Sequence, residues 1–272
     1  MELLKTKELK ISTNIFRKIC RELKMEIKDN RNQLEKLNKL DYEYNKKIID
    51  LEELTKRIDF FLDKDVVERK TLNNVVSLYG DPYCVIDIML SAVMNCQIVN
   101  ILIEDMCVGV NKLIVTLYQE ILKDYKIHDI ISLNNNVGKK ELEEKKDIID
   151  VAYFLGNKNF YSVCEEIDGL NSKYIAFNNI DIYCEDDDLY ELAKNIFDVC
   201  VENGIEAEIF ENMSIDEVID ALNNFGEHYC SLILTKDDKK IENFKKDVKS
   251  EIILVNENPF NNKEIFKTPQ IF

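Results

Sequence analysis

Glycine is scarce in this chain, with seven residues in 272, and proline is scarcer at three. None of the glycines builds a G-x-G-x-x-G turn or a phosphate loop, so neither common nucleotide fingerprint is present. Both fingerprints use glycine to bring backbone close to a pyrophosphate. Histidine is rarer still: His128 and His228 lie far apart and neither sits in H-E-x-x-H. His228-Tyr229-Cys230 lacks further ligands, so both histidines read as core or surface residues and no metal site is expected. There is no G-x-S-x-G elbow. No apolar run reaches about 18 residues, so no membrane span is expected, and residues 1–5 lack the apolar stretch of a secretory signal. Eight cysteines fall at 20, 84, 96, 107, 164, 184, 200 and 230, none in a C-x-x-C pair. Scattered through apolar runs, Cys84, Cys96 and Cys184 read as reduced core thiols, which fits a cytoplasmic protein.

Positive charge is also short. Lysine and arginine number 36 against 52 acidic residues, a net charge of −16. That balance argues against a nucleic-acid partner, whose phosphates need basic contacts, and against an anionic membrane surface. With 46% hydrophobic and 32% charged residues the composition is globular. Paired carboxylates are common enough to be mostly solvated, Glu104-Asp105 at a strand end and Glu165-Glu166 on a helix among them.

Residues 12–63 read as helical. Ser12 and Thr13 offer an N-terminal cap, and Ile15, Phe16, Ile19, Cys20 and Leu23 follow at helical spacing. A heptad frame through Leu34, Leu37, Tyr44, Ile48 and Leu51 puts Asp41 and Thr55 on the seam, and Leu40, Leu54 and Phe61 widen the stripe. That favours helices packed on a globular body over a coiled coil. From residue 72, β-rich runs (75–79, 98–103, 130–133, 150–155) alternate with helices such as 108–125, where Leu113, Leu117 and Ile121 mark one face. This is the pattern of βαβ units on a parallel sheet buried on both faces. A second series follows: strands at 180–184, 205–210, 230–235 and 251–255, and helices from the acidic cluster 185–188 through Cys200, at 214–224 and at 237–247. Gly204 is read as stopping the first of these helices. The acidic cluster reads as a helix start, since carboxylates favour the positive end of the dipole. The expected architecture is therefore α/β, with N-terminal helices plus a Rossmann-like domain over 1–178 and a smaller α/β domain over 179–272. Strand ends are where ligands collect in such sheets, which singles out Glu104, Asp105, Gly156 and Asn157 as candidate cofactor-binding residues.

The order of these segments resembles the aldehyde dehydrogenase superfamily, and within it the γ-glutamyl phosphate reductase (glutamate-5-semialdehyde dehydrogenase) branch. Residues 75–105, VVSLYGDPYCVIDIMLSAVMNCQIVNILIED, are similar to its strand, turn, helix and strand leading to the adenosine pocket. Residues 147–167, DIIDVAYFLGNKNFYSVCEEI, are similar to the strand and glycine turn beneath the nicotinamide. Residues 180–197 resemble its acidic helix start. Residues 214–260 follow its helix, Asn-x-x-Gly-type turn (Asn224-Phe225-Gly226), strand, helix and final strand ending in Val255-Asn256. The resemblance implies a Rossmann-like domain that binds NAD(P) without the usual glycine fingerprint.

The departures concentrate at the chemistry. Asp81 and Tyr83 stand where the family has Arg and Asn. Glu206 falls where the resemblance places the nucleophilic cysteine, while Cys200 lies several residues early, in the last turn of a helix. A thiohemiacetal needs a thiolate with an oxyanion donor beside it. The acidic Glu104-Asp105 near the implied ribose would repel a 2′-phosphate, favouring NAD over NADP. The leading expectation is a shortened, catalytically degenerate relative acting as a binding or regulatory partner, as a homo-oligomer or with a full-length paralogue. The alternatives are an active NAD(P)-dependent semialdehyde or acyl-phosphate oxidoreductase with Cys200 or another cysteine as nucleophile, and an unrelated α/β interaction protein.

Overall fold

The computed structural model describes residues 8–45, 49–79, 82–104, 108–135, 137–156, 158–175, 179–202, 206–224 and 228–261. The chain divides into two compact units, with the division between Tyr174 and Ile175.

The first unit opens with three helices, α1 (Thr13–Asp29), α2 (Arg31–Asn45) and α3 (Leu51–Leu62). Ser12 caps α1, its Oγ accepting from Ile15 N. Phe16, Ile19, Cys20, Leu23 and Ile27 form a buried stripe at i, i+3, i+4 spacing. Helix α1 packs against α2 and α3, and against α4 (Pro82–Met94) and α5 (Val108–Asp124), while α3 packs on α4 and α2 on α5, so the N-terminal helices lie on a globular body. Asp41, a misfit on a heptad seam, is a cap: its two carboxylate oxygens accept from Gly109 N at 3.1 Å and Val110 N at 2.9 Å. Gly109 permits that approach, since a Cβ there would meet Leu37 Cδ2 at 3.1 Å and Asp41 Oδ1 at 3.2 Å.

The strands of this unit are β1 (Asn73–Tyr79), β2 (Ile98–Glu104), β3 (Ile131–Asn135), β4 (Val151–Leu155) and β5 (Ser172–Ile175). The sheet order is β3-β2-β1-β4-β5, with β1 parallel to β2 and β4 and β2 parallel to β3. Two short helices, α6 (Lys139–Glu143) and α7 (Lys158–Cys164), complete the unit. Val75, Val76, Val99 and Ile101 are fully buried, as expected for parallel strands covered on both faces. Strand β5 has no counterpart in the expected pattern, because the only apolar residues of SKYI are Tyr174 and Ile175, and these four residues are half-buried or exposed.

Two expectations are corrected here. Glu165-Glu166 do not lie on a helix: α7 ends at Cys164, and Glu166 pairs with Lys139 at 2.8 Å across the following turn. Leu113 and Leu117 do not mark the buried face of α5; they are half-buried, and Val110, Ile114, Tyr118 and Ile121 take the core. A helix covered by both a sheet and other helices is apolar over much of its circumference, so spacing alone does not single out its deepest face.

The second unit alternates β6 (Asn179–Cys184), α8 (Asp187–Glu202), β7 (Glu206–Phe210), α9 (Ile215–Asn224), β8 (His228–Leu234), α10 (Asp238–Asp247) and β9 (Ser250–Val255). All its strands are parallel, in the order β7-β6-β8-β9. Its core on one side joins Tyr183, Val218, Leu222, Ile233 and Phe244. Asp187 and Asp188 occupy the first turn of α8. Asp188 and Glu185 are ion-paired to Lys236 and Lys240, so this acidic cluster is a helix start with solvated ion pairs. Cys84 and Cys96 are buried, but Cys184 is only half-buried, because it ends β6 and its Sγ lies 3.6 Å from the Asp186 carbonyl. Gly204, expected to stop α8, lies outside the described residues, as do Phe225 and Gly226.

Candidate functional site

The two sheets present opposite edges of interest. In the first, crossovers run from β1 towards β2 and β3 on one side and towards β4 and β5 on the other. The carboxyl ends of β1 and β4 therefore form a topological switch point, where ligands sit in open α/β sheets. Glu104 ends β2 in register with Tyr79 of β1, and Leu78 is in register with Leu155 of β4, which Gly156 follows. The fold thus brings Glu104 and Gly156 to one edge, on either side of β1. Gly156 has φ +65°, a left-handed turn open to glycine at no steric cost. Asp105 and Asn157 lie outside the described residues.

The amides at the start of α5, on the same edge, are an obvious place for an anion. Asp41 already fills them. Tyr83, standing where the resemblance puts Asn, instead accepts from Asp50 N at 2.7 Å through its hydroxyl and stacks under the Arg57 guanidinium, 5.1 Å from the ring centre. At the opposite edge of this sheet an open depression of about 340 Å³ is lined by Glu8, Lys10, Glu68, Arg69, Lys70 and Thr71. Its charges are mixed, and it contains none of the candidate residues.

In the second unit the candidates gather at the amino edge. Glu206 is the first residue of β7 and is in register with Asn179, the first residue of β6. Cys200 lies in the last turn of α8, as its position implied, and is wholly buried. Burial pushes its thiol up to about 11. Other thiols follow the same course, burial raising Cys164 to about 11 and Cys20 and Cys230 to about 12, with Cys96 and Cys184 also raised. Cys107 lies outside the described residues. The carboxyl edge of this sheet is closed on itself. Asn256, with φ +51°, donates through Nδ2 to the Thr235 carbonyl and accepts from Thr235 N, at 2.9 and 3.0 Å.

Sequence reasoning missed the pairing of Asp181 with His228, whose Nδ1 lies 2.7 Å from Asp181 Oδ2 at the amino edge. The available signal was an aspartate interrupting the apolar run NIDIYC. Among the described residues no three His, Cys, Asp or Glu side chains converge as a metal site, and no helix is long and apolar enough to cross a membrane.

Two successive parallel α/β units, the first carrying the 3-2-1-4-5 strand order, define the class of architecture. Within that class, solved structures of aldehyde dehydrogenases share the fold. The γ-glutamyl phosphate reductase of Thermotoga maritima superposes with a TM-score of 0.61 at 13% identity, covering 94% of this chain and 86% of that one. Glyceraldehyde-3-phosphate dehydrogenase from Methanocaldococcus jannaschii, complexed with NADP, gives 0.65 at 10% identity over 93% and 83%. An acetylating aldehyde dehydrogenase from Geobacillus thermoglucosidasius gives 0.59 at 13% identity over 92% and 82%. No family model matches the sequence. A comparison with curated protein sequences finds no match either. The fold is aldehyde dehydrogenase-like, as the segment order implied.

Proposed function

We propose that this chain is a catalytically degenerate aldehyde dehydrogenase-like protein, kept as a binding or regulatory partner in the cytoplasm. On this reading residues 1–178 serve as a nucleotide-binding-type domain and 179–272 as a catalytic-type domain. The observation that carries the reading is Cys200: it is sealed inside the last turn of α8, and burial holds its thiol at about 11. A nucleophilic cysteine needs a depressed pKa and access to substrate. Glu206, at the position the resemblance gives to the nucleophile, has no thiol to offer. The partner is a second copy of this chain or a full-length paralogue.

The second reading is an active NAD(P)-dependent semialdehyde or acyl-phosphate oxidoreductase. It draws on the left-handed turn at Gly156 on the switch-point edge and on the NADP bound by the Methanocaldococcus relative. A nicotinamide dinucleotide would there meet the left-handed turn at Gly156, with Asn157 the next residue in sequence, and the acidic Glu104-Asp105 sequence would favour NAD over NADP.

The deciding experiment alkylates the native protein with iodoacetamide and maps the modified thiols. In parallel it follows NAD- and NADP-coupled oxidation of aldehydes and reduction of acyl phosphates. Uniformly slow alkylation with no turnover is the expected result. A fast-reacting cysteine whose replacement by alanine abolishes a measured turnover would overturn the degenerate reading in favour of the second.

A further inference from the structure

The two outer strands of the second sheet differ in how they are protected. Strand β7 ends the sheet on one side and β9 on the other. Residues 187–224, spanning α8, β7 and α9, hold eleven carboxylates and one lysine, Lys194. That excess of one sign opposes pairing of β7 with the same edge of a second copy. Residues 236–257, around α10 and β9, hold six lysines and six carboxylates and are balanced. Strand β9, SEIILV, contains neither the proline nor the lysine that commonly protects an open edge. Ile253 and Val255 pack against the core around Phe244, yet they and Ile252 are only half-buried.

The backbone of β9 has an open side. Asn256 N donates to the Ile233 carbonyl of β8. Backbone groups alternate along a strand, so the N–H and C=O of Glu251, Ile253 and Val255 point away from β8. Among the described residues no group bonds to Ile253 or Val255 from that side. Lys249 lies just before β9 and Glu257 just after it; both are exposed, and neither forms an ion pair among the described residues.

We propose that β9 pairs antiparallel with β9 of a second copy, about a two-fold axis at Ile253, so that one sheet continues into the next. The outward groups set this register: Ile253 faces its own counterpart and Glu251 faces Val255, each pair exchanging N–H···O bonds. The opposed directions bring Lys249 at the start of one strand towards Glu257 beyond the end of the other, twice by symmetry. Ile253 and Val255 gain cover from their counterparts. The pairing rests on the function proposed above only in taking a second copy as the partner. It does not depend on catalysis, so a mass measurement can refute it while the degenerate reading stands, and a measured turnover can do the reverse.

Sedimentation equilibrium of the full chain at micromolar concentrations tests it, and the expected mass is twice 31.9 kDa. Ile253→Pro removes an outward N–H and no bond to β8, and it should give a folded monomer. Lys249→Glu sets like charges opposite each other and should weaken the dimer about tenfold at low salt. Adding Glu257→Lys to that variant should restore it. Circular dichroism checks folding; if Ile253→Pro does not fold, the charge series decides. A monomeric wild type would overturn the proposal. A dimer that survives in folded Ile253→Pro uses another surface, and one that Lys249→Glu leaves unchanged is not in this register; either result overturns it. So does a mass that climbs past the dimer with concentration, because β9 then meets β7 of the next copy head to tail.

Discussion

The two parallel sheets secure their strands by different means. In the first, a line of buried amides crosses the amino half. Ser132 Oγ donates to Asn100 Oδ1 at 2.8 Å, Asn100 Nδ2 to Asn73 Oδ1 at 2.7 Å, and Asn73 Nδ2 to the Ile148 carbonyl at 2.6 Å. Asn74 and Gln97 extend the network beneath it. Side chains from β3, β2 and β1 and backbone just before β4 are thereby tied in one register, while the carboxyl edge of that sheet keeps the Gly156 turn at its switch point. The second sheet is tied at both ends. Its carboxyl edge is closed by Asn256 on Thr235, and its amino edge by Asn179 Oδ1, which accepts from Tyr229 N at 3.0 Å, and by the buried Asp181–His228 pair. Ser231 and Ser250 join β8 to β9 through their hydroxyls, and Asn223 bridges to the Asp247 carbonyl and to Lys249 N just before β9. A buried polar network specifies register because, at low interior dielectric, a slipped strand would leave its groups unpaired.

The comparison breaks most readily at Asn100. Replacing it with leucine keeps the volume but removes the donor to Asn73 and the acceptor of Ser132, and the loss in unfolding free energy should be about 2–4 kcal/mol. Urea denaturation measures it, and a double-mutant cycle with Asn73→Ala should show strong coupling between the two. A loss below about 1 kcal/mol, with no coupling, would mean that hydrophobic packing sets the register without the amides. Asp41→Ala comes next. It strips two amide partners from the start of α5, and about 1–2 kcal/mol should go, with Asp41→Asn recovering part of it.

How far these features could be read beforehand depends on whether they leave a periodic trace. Strand and helix positions do, and apolar runs such as IVNILI placed β2 within a residue of its observed end. The edge that gathers Glu104 and Gly156 followed from strand ends in a parallel sheet. The amide network left no such trace, because Asn73, Asn74 and Asn100 look like ordinary interruptions in β-rich runs and their partners on other elements are 23 or more residues away, as in Asn74 to Gln97 and Asn100 to Asn73. Asp41 and Asp181 were hidden in the same way. Each is a charged residue in an apolar pattern whose purpose appears only when a partner 68 or 47 residues distant arrives beside it. Strand β5 was missed for the opposite reason, too little apolar character to register.

Asn256 sharpens the contrast at the second sheet. Asn256→Gly keeps the left-handed backbone and loses only the clamp, so about 1 kcal/mol should disappear. Asn256→Ala adds strain at φ +51° and should lose about 1 kcal/mol more. The buried thiols give both units a common alkaline limit. Their folded pKa values lie above the unfolded reference of 9.0, at about 11 for Cys164 and Cys200 and about 12 for Cys20 and Cys230. The folded state therefore holds more protons between those values. The thiols' contribution is fully present below pH 9, declines as pH rises through 9, and is lost once the folded values are passed. Denaturation midpoints between pH 8 and pH 10.5 should fall, and Cys230→Ala should reduce the slope.

The smallest effect is expected at the ion pairs that surround the same clamp. Lys236 faces Asp188 and Lys240 faces Glu185; the first pair is well exposed, with 63% and 64% of its side chains open to water. Each partner shifts the other in the direction of the charged form, Asp188 downward and Lys236 upward, through their hydrogen bond. Solvent screening and the ordering of two mobile side chains offset most of that attraction. Lys236→Gln should thus leave the urea midpoint unchanged within error at physiological salt, while Asn256→Gly moves it. Should Lys236→Gln cost as much as Asn256→Gly, and should added salt erase that cost, charge pairing would be what closes the carboxyl edge. The contrast between an amide-locked first sheet and an amide-clamped second would then give way to one between hydrogen bonds and electrostatics.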